Sequence, residues 1–195
     1  LSAGTFDVAW SGAAAACVLA AGWAIKWMDD WVDRDLDGYG AKTWAGRLGG
    51  GLLPYAMAAL CVALLLDAPL AGSLFFSAYS LGMLHDWRRP LPSGLRGWQE
   101  AALAVGAGAL LAGPGRMAAA LAVMTFVQCA DDLADVNEDR AVGRRSLATA
   151  MGVVETGLLG AAALVAAAAL APRATTMVIW ATAVVLSAKP REMAP

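Results

Sequence analysis

Long apolar runs dominate this chain, and its charged residues are confined to the short segments between them. A bilayer core of about 30 Å takes roughly 20 helical residues to cross. Seven runs approach or reach that length, at about 8–28, 49–67, 69–86, 97–113, 115–134, 148–171 and 174–188. Many are rich in Ala and Gly, and small residues let membrane helices approach closely. The fold expected is all-α: a multi-span transmembrane bundle of about seven helices, forming one transmembrane domain over residues 1–195. The first run has the length of a signal peptide but lacks a basic leading segment and runs into a carboxylate cluster, so it reads as mature structure.

Composition agrees with that expectation. Hydrophobic residues make up 59% of the 195 residues and charged residues 15%, against roughly 45–50% and about 25% in an average soluble domain. The alternative, a soluble Ala-rich bundle, is opposed by the placement of charge. Of the 14 Lys and Arg, all but Arg116 and Arg173 fall on one side of the seven-span arrangement. Basic residues mark the cytoplasmic side, which puts the N-terminus outside and the C-terminus inside. Trp23, Trp27, Trp31, Trp44, Trp87 and Trp98 gather toward that same side, as an interfacial aromatic belt does. A net charge of -2 excludes the basic face that nucleic-acid binding requires. Cys17, Cys61 and Cys129 are odd in number, widely spaced and set in apolar runs. They read as buried thiols, neither a disulfide framework nor a zinc site.

Two segments carry the chemistry. Asp29-Asp30-Trp31-Val32-Asp33-Arg34-Asp35-Leu36-Asp37 and Asp131-Asp132-Leu133-Ala134-Asp135-Val136-Asn137-Glu138-Asp139 both read DDxxDxxxD, at a constant offset of 102 residues (131 minus 29). Lys42 and Arg144 are separated by the same interval, and each cluster closes an inward-running span. The pattern suggests an internal repeat of helical hairpins. Residues i, i+3, i+4 and i+7 share a helical face. Asp30, Asp33 and Asp37 would therefore align, with Asp29 close by, and so would Asp132, Asp135 and Asp139, beside Asp131. Carboxylates so crowded repel one another unless a cation sits among them. Mg²⁺ takes one or two carboxylates together with waters and phosphate oxygens, so two facing clusters would make a clamp for a diphosphate.

Blander readings were weighed against this one. An acidic run is commonly a solvated loop, but the repetition at the same helix end of a charge-poor chain speaks against it. Asp33 to Gly38 match the opening of an EF-hand loop, yet its twelfth position, normally a bidentate Glu, is Trp44. A transporter would place acids in mid-bilayer, not at one face. His85, beside Asp86 at a helix end, reads as interfacial packing, and the methionines as core or lipid-facing residues.

At these residues the chain resembles the UbiA superfamily of intramembrane prenyltransferases. That family shows NDxxDxxxD in one cytoplasmic loop, and in another DxxDxxGD followed by a basic, Gly-containing stretch and Ser/Thr-Leu. Here Asp29 stands where Asn is usual, Glu138 replaces Gly, and Gly143-Arg144-Arg145-Ser146-Leu147 follow. A Tyr ahead of a basic pair would be supplied by Tyr79, Arg88 and Arg89, although the usual Lys is missing. The resemblance covers about residues 15–190 and implies helices around a central cavity, with Mg²⁺ as cofactor at its cytoplasmic mouth. It implies metal binding by Asp29, Asp30, Asp33, Asp37, Asp131, Asp132, Asp135 and Asp139. It implies diphosphate binding by Lys42, Arg47, Tyr79, Arg88, Arg144 and Arg145, and a catalytic role for Asp132 and Asp135. The partners would be an isoprenyl diphosphate, an aromatic or other lipophilic acceptor, and the lipid bilayer. An intramembrane terpene cyclase would use the same metal site, and the motifs do not separate the two.

Overall fold

The computed structural model describes residues 8–33, 44–83, 87–143 and 145–188; of Asp33, Glu138 and Val142 it describes the backbone alone. The described residues form helices: α1 (Gly12–Asp33), α2 (Trp44–Leu48), a 3-10 turn at Gly49–Gly51, α3 (Leu52–Gly82), α4 (Gly97–Ala112), α5 (Pro114–Ala134), α6 (Val136–Val142), α7 (Leu147–Ala150), α8 (Val153–Leu170) and α9 (Pro172–Ser187). Among them there is no strand, only an isolated bridge between Pro90 and Arg96.

Local chemistry sets the helix ends. Ser11 Oγ accepts the Ala14 amide at 3.0 Å and opens α1. Asp67 interrupts α3 in an extended conformation (φ -158°, ψ 92°). Its Oδ1 accepts the Leu70 amide at 2.9 Å, so it caps a new helical rod that has Pro69 in its first turn, where the missing N–H costs nothing. Gly113 (φ 86°, ψ 151°) occupies a conformation only glycine adopts readily, and Pro114 then starts α5. Ala171 is followed by Pro172 in the same way. All three breaks fall where the apolar runs divide in the sequence. α1 runs on to Asp33, beyond the apolar run ending near residue 28, because Lys26, Asp29 and Asp30 interrupt hydrophobicity without interrupting a helix.

Three stretches, Trp44–Gly82, Pro114–Ala134 and Val153–Leu170, are long and apolar enough to cross a membrane. What is exposed and what is buried fits such a setting. Leu65 and Leu110 are 86% and 91% exposed, and Leu103, Val154, Leu158 and Val165 also face outward. The interior is built from alanine, small hydroxyl residues and a few larger apolar side chains.

The chain divides into two compact units. One comprises Gly72–Thr176 with the segment ending at Val8; the other comprises Ala9–Ala71 with the segment beginning at Met177. In the first, α5 packs along α8, with α4 against α5. A Cβ built at Gly160 would stand 3.0 Å from the Cβ of Cys129, so the absence of a side chain there permits the contact. In the second, the Cys17 thiol lies 3.4 Å from the Ala63 carbonyl oxygen and 3.6 Å from that of Asp67. It thereby tethers α1 to carbonyls left open where α3 breaks. Cys17 and Cys129 are buried, but Cys61 is exposed, which corrects the expectation of three buried thiols. In a chain whose outward faces are themselves apolar, apolar neighbours in sequence do not mark an interior position.

The offset of 102 residues extends to the helices. Shifted by that interval, α1 covers 114–135 and α2 covers 146–150, against Pro114–Ala134 for α5 and Leu147–Ala150 for α7. The start of α3 lands one residue from that of α8, and the break at Asp67 two residues from Ala171. Each unit carries one copy of the Asp-rich segment.

Candidate functional site: two aspartate motifs

In the first motif, Asp29 and Asp30 lie in the last turns of α1. Asp30 is 8% exposed. Its Oδ1 is 3.1 Å from the Lys26 ammonium, one turn back on the same helix, and its Oδ2 accepts the Trp44 amide at 3.4 Å. The Trp44 ring packs on α1 as well, its centroid 5.7 Å from Trp23 and 6.3 Å from Trp27. Hydrogen bond and ring packing together fix the start of α2 beside the end of α1. Lys26 also reaches Asp29 Oδ2 at 3.8 Å, and Asp29 is exposed. The backbone of Asp33 ends α1, while Asp37 and Lys42 lie outside the described residues. Arg47 is exposed on α2.

The second motif repeats this construction. Asp132 is 6% exposed, its Oδ1 accepting the Gln128 side-chain amide at 2.8 Å and its Oδ2 the Leu147 amide at 2.7 Å. Gln128 stands four residues before Asp132, as Lys26 stands before Asp30, and Lys26 and Gln128 are themselves 102 apart (128 minus 26). Leu147 opens α7, and the Ser146 amide beside it is taken by Thr149 Oγ1 at 2.7 Å. The two leading donors of that short helix are therefore satisfied. Asp135 bends the chain between α5 and α6 (φ -97°, ψ 6°) without breaking the helical hydrogen bonds. Its amide donates to the Asp131 carbonyl at 3.0 Å, and the Asp139 amide donates to the Asp135 carbonyl at 2.9 Å. Asp131, Asp135 and Asp139 therefore follow one another a turn apart. Asp131 and Asp135 are half-buried. Asp139 is 6% exposed and its carboxylate pairs with no other described residue. Arg145 is exposed, and Arg144 lies outside the described residues.

Tyr79 is engaged by another acid. Its hydroxyl donates to Glu100 Oε2, and Ser93 donates to Glu100 Oε1. Between them runs a tight connection. The Leu91 amide donates to the Leu95 carbonyl at 2.7 Å and the Trp98 amide to the Trp87 carbonyl at 3.2 Å. Exposed Arg88 and Arg89 are presented at its start. Glu100, Ser93, Lys26 and Gln128 escaped the reading of the sequence. For the last two a signal existed, since the 102-residue offset that pairs Lys42 with Arg144 also pairs Lys26 with Gln128.

Oxygen donors of this kind suit Mg²⁺. Among the described residues, no three His, Cys, Asp or Glu side chains gather as a metal-binding group. Mg²⁺ takes one or two carboxylates with waters and phosphate oxygens and does not require a full protein cage. By that criterion Asp29, Asp131, Asp135 and Asp139 fit the ion. Asp30 and Asp132 fit it less well, because both oxygens of each already accept hydrogen bonds or an ion pair. No family model, curated protein or solved structure matched this chain.

Proposed function

We propose that the chain is an integral membrane enzyme that ionises an isoprenyl diphosphate and passes the prenyl group to an aromatic or other lipophilic acceptor. One observation carries the reading. The two DDxxDxxxD segments are alike in construction as well as in letters, with the second aspartate of each joining the helix before it to the short helix after it. A solvated acidic loop has no need to be built twice in this way.

In this reading the helices cross the bilayer several times, and both motifs face the cytoplasm, the side that basic residues mark. Asp29, Asp33, Asp37, Asp131, Asp135 and Asp139 hold the metal. Bound Mg²⁺ would neutralise charge on the departing diphosphate. Lys42, Arg47, Arg88, Arg144 and Arg145 grip the diphosphate oxygens. Tyr79, with its hydroxyl given to Glu100, steadies the connection that presents Arg88. The carbon–oxygen bond breaks, the apolar interior shields the allylic cation from water, the acceptor carbon bonds to it, and a carboxylate of the second motif, Asp135 foremost, takes the proton released.

Purified protein in lipid, given geranyl, farnesyl or geranylgeranyl diphosphate with Mg²⁺ and a panel of phenolic and quinol acceptors, should release diphosphate and form a prenylated acceptor. Release should stop with EDTA and return with Mg²⁺ or Mn²⁺. Diphosphate release that continues undiminished in EDTA would rule the mechanism out. A cyclic hydrocarbon or alcohol formed without acceptor would instead identify a terpene cyclase working from the same site.

A further inference from the structure

Asp30 and Asp132 stand apart from the other acids of their motifs. A cation at Asp30 Oδ1 would meet the Lys26 ammonium, 3.1 Å from that oxygen, and like charges at such range repel strongly. At Asp132 the two positions are filled by donors from Gln128 at 2.8 Å and Leu147 at 2.7 Å. The helical partner is a cation in one copy and a neutral amide in the other, while the bonding pattern is the same. What the copies share is geometry, a bridge from helix to loop end, and not the charge of the partner.

We infer that the second aspartate of each motif is a positioning residue, and that the first, third and fourth are left to hold the cation and diphosphate. The assignment deepens the function proposed above and rests on it for its catalytic consequence. Asp30 joins the ends of the connection 31–43 and Asp132 those of 133–146. The second connection carries Asp135, Asp139, Arg144 and Arg145, so the bond from Asp132 to the Leu147 amide sets where those groups stand. The remaining acids are spaced i, i+4, i+8, with Asp131, Asp135 and Asp139 one turn apart along unbroken helical hydrogen bonds.

The two copies differ in one testable respect. In Asp132→Asn, the new amide can still accept from Leu147 while Gln128 turns its own amide over to accept the new donor. Lys26 has no acceptor with which to do the same for Asp30→Asn.

The experiment uses the whole chain in lipid nanodiscs, with Mn²⁺ alone as probe, followed by electron paramagnetic resonance, and with hydrogen exchange read at the Leu147 amide. Asp132→Asn should keep Mn²⁺ affinity within about threefold of the parent and leave Leu147 slow to exchange. Asp132→Ala should speed that exchange at least tenfold and weaken Mn²⁺, whereas Asp135→Asn should weaken Mn²⁺ at least tenfold with Leu147 still protected. The inference is overturned if Asp132→Asn weakens Mn²⁺ as much as Asp135→Asn does, or if Asp132→Ala leaves Leu147 exchange unchanged. Because neither readout is turnover, a protein that binds Mn²⁺ as described yet ionises no isoprenyl diphosphate would sink the proposed reaction and leave the positioning role standing.

Discussion

A carboxylate at the end of an apolar helix can lower its energy by pairing with donors of its own chain or by waiting for a cation. The two motifs do both, at different positions. Counting helical faces in the sequence grouped Asp30 with Asp33 and Asp37, and Asp132 with Asp135 and Asp139, because that count considered only acids. One turn back lie Lys26 and Gln128, and these donors claim the second aspartate of each motif. The error was to read the pattern of like residues without the residues between them. Tyr79 shows the same limit, since nothing in the letters pairs it with Glu100, 21 residues on. If the third aspartate carries charge to the metal, Asp33→Asn and Asp135→Asn remove a contact that strengthens as the leaving group gains charge. Each should lower kcat on the order of a hundredfold or more. Asp35→Asn should cost far less, because the matching position 102 residues on is Asn137 and so the repeat does not require an acid there. Steady-state diphosphate release measures both. If Asp35→Asn proved as damaging as Asp33→Asn, the acids would belong to a loop-type site and the repeat would have misled.

At the scale of elements, proline and glycine were the legible punctuation. Pro69, Pro114 and Pro172 each follow a break, and each break has a local cause: a capping aspartate, a positive-φ glycine, an extended alanine. The bend at Asp135 and the short helices α6 and α7 were not legible, because they come from hydrogen bonds between residues far apart in the local pattern. Hydrophobic periodicity carried little information either, for helices apolar on both their inner and outer faces. Residue size tells the two faces apart instead. On α8, Gly160, Thr156 and Ala167 face inward, while Leu158 and Val165 face out. Membrane helices lack a hydrophobic drive toward one another and rely on close packing. The contact of Gly160 with Cys129 is the clearest instance. Gly160→Val would force two branched carbons into that contact, and overpacking of this kind costs roughly 1–3 kcal/mol. Gly157→Val, where a new Cβ meets nothing within 4 Å, should cost much less. Thermal unfolding of the two variants in the same detergent compares them directly, and equal midpoints would mean that α5 and α8 are not held by this approach.

For the whole molecule, the offset of 102 residues relates α1, α2 and α3 to α5, α7, α8 and α9 in order, with α4 between the copies in the chain. A motif repeated by duplication of its helices carries its orientation along. When an even number of membrane crossings separates two copies, both open to the same side. The basic residues say which side, since 12 of the 14 fall on it and Arg116 and Arg173 do not. This yields a prediction of membrane topology independent of catalysis. In a background where Cys17, Cys61 and Cys129 are replaced by Ala, single cysteines at the exposed positions Arg47, Arg145 and Arg173 report their sides to a membrane-impermeant maleimide. In intact cells Arg173→Cys should label while Arg47→Cys and Arg145→Cys should not; in inverted vesicles the pattern should reverse. Arg47 and Arg145 each follow one aspartate motif by a few residues, so they report on the motifs themselves. Labelling of those two positions from opposite sides would separate the motifs by the thickness of the bilayer. No diphosphate spans that distance, and the shared clamp would have to be abandoned whatever activity the protein showed.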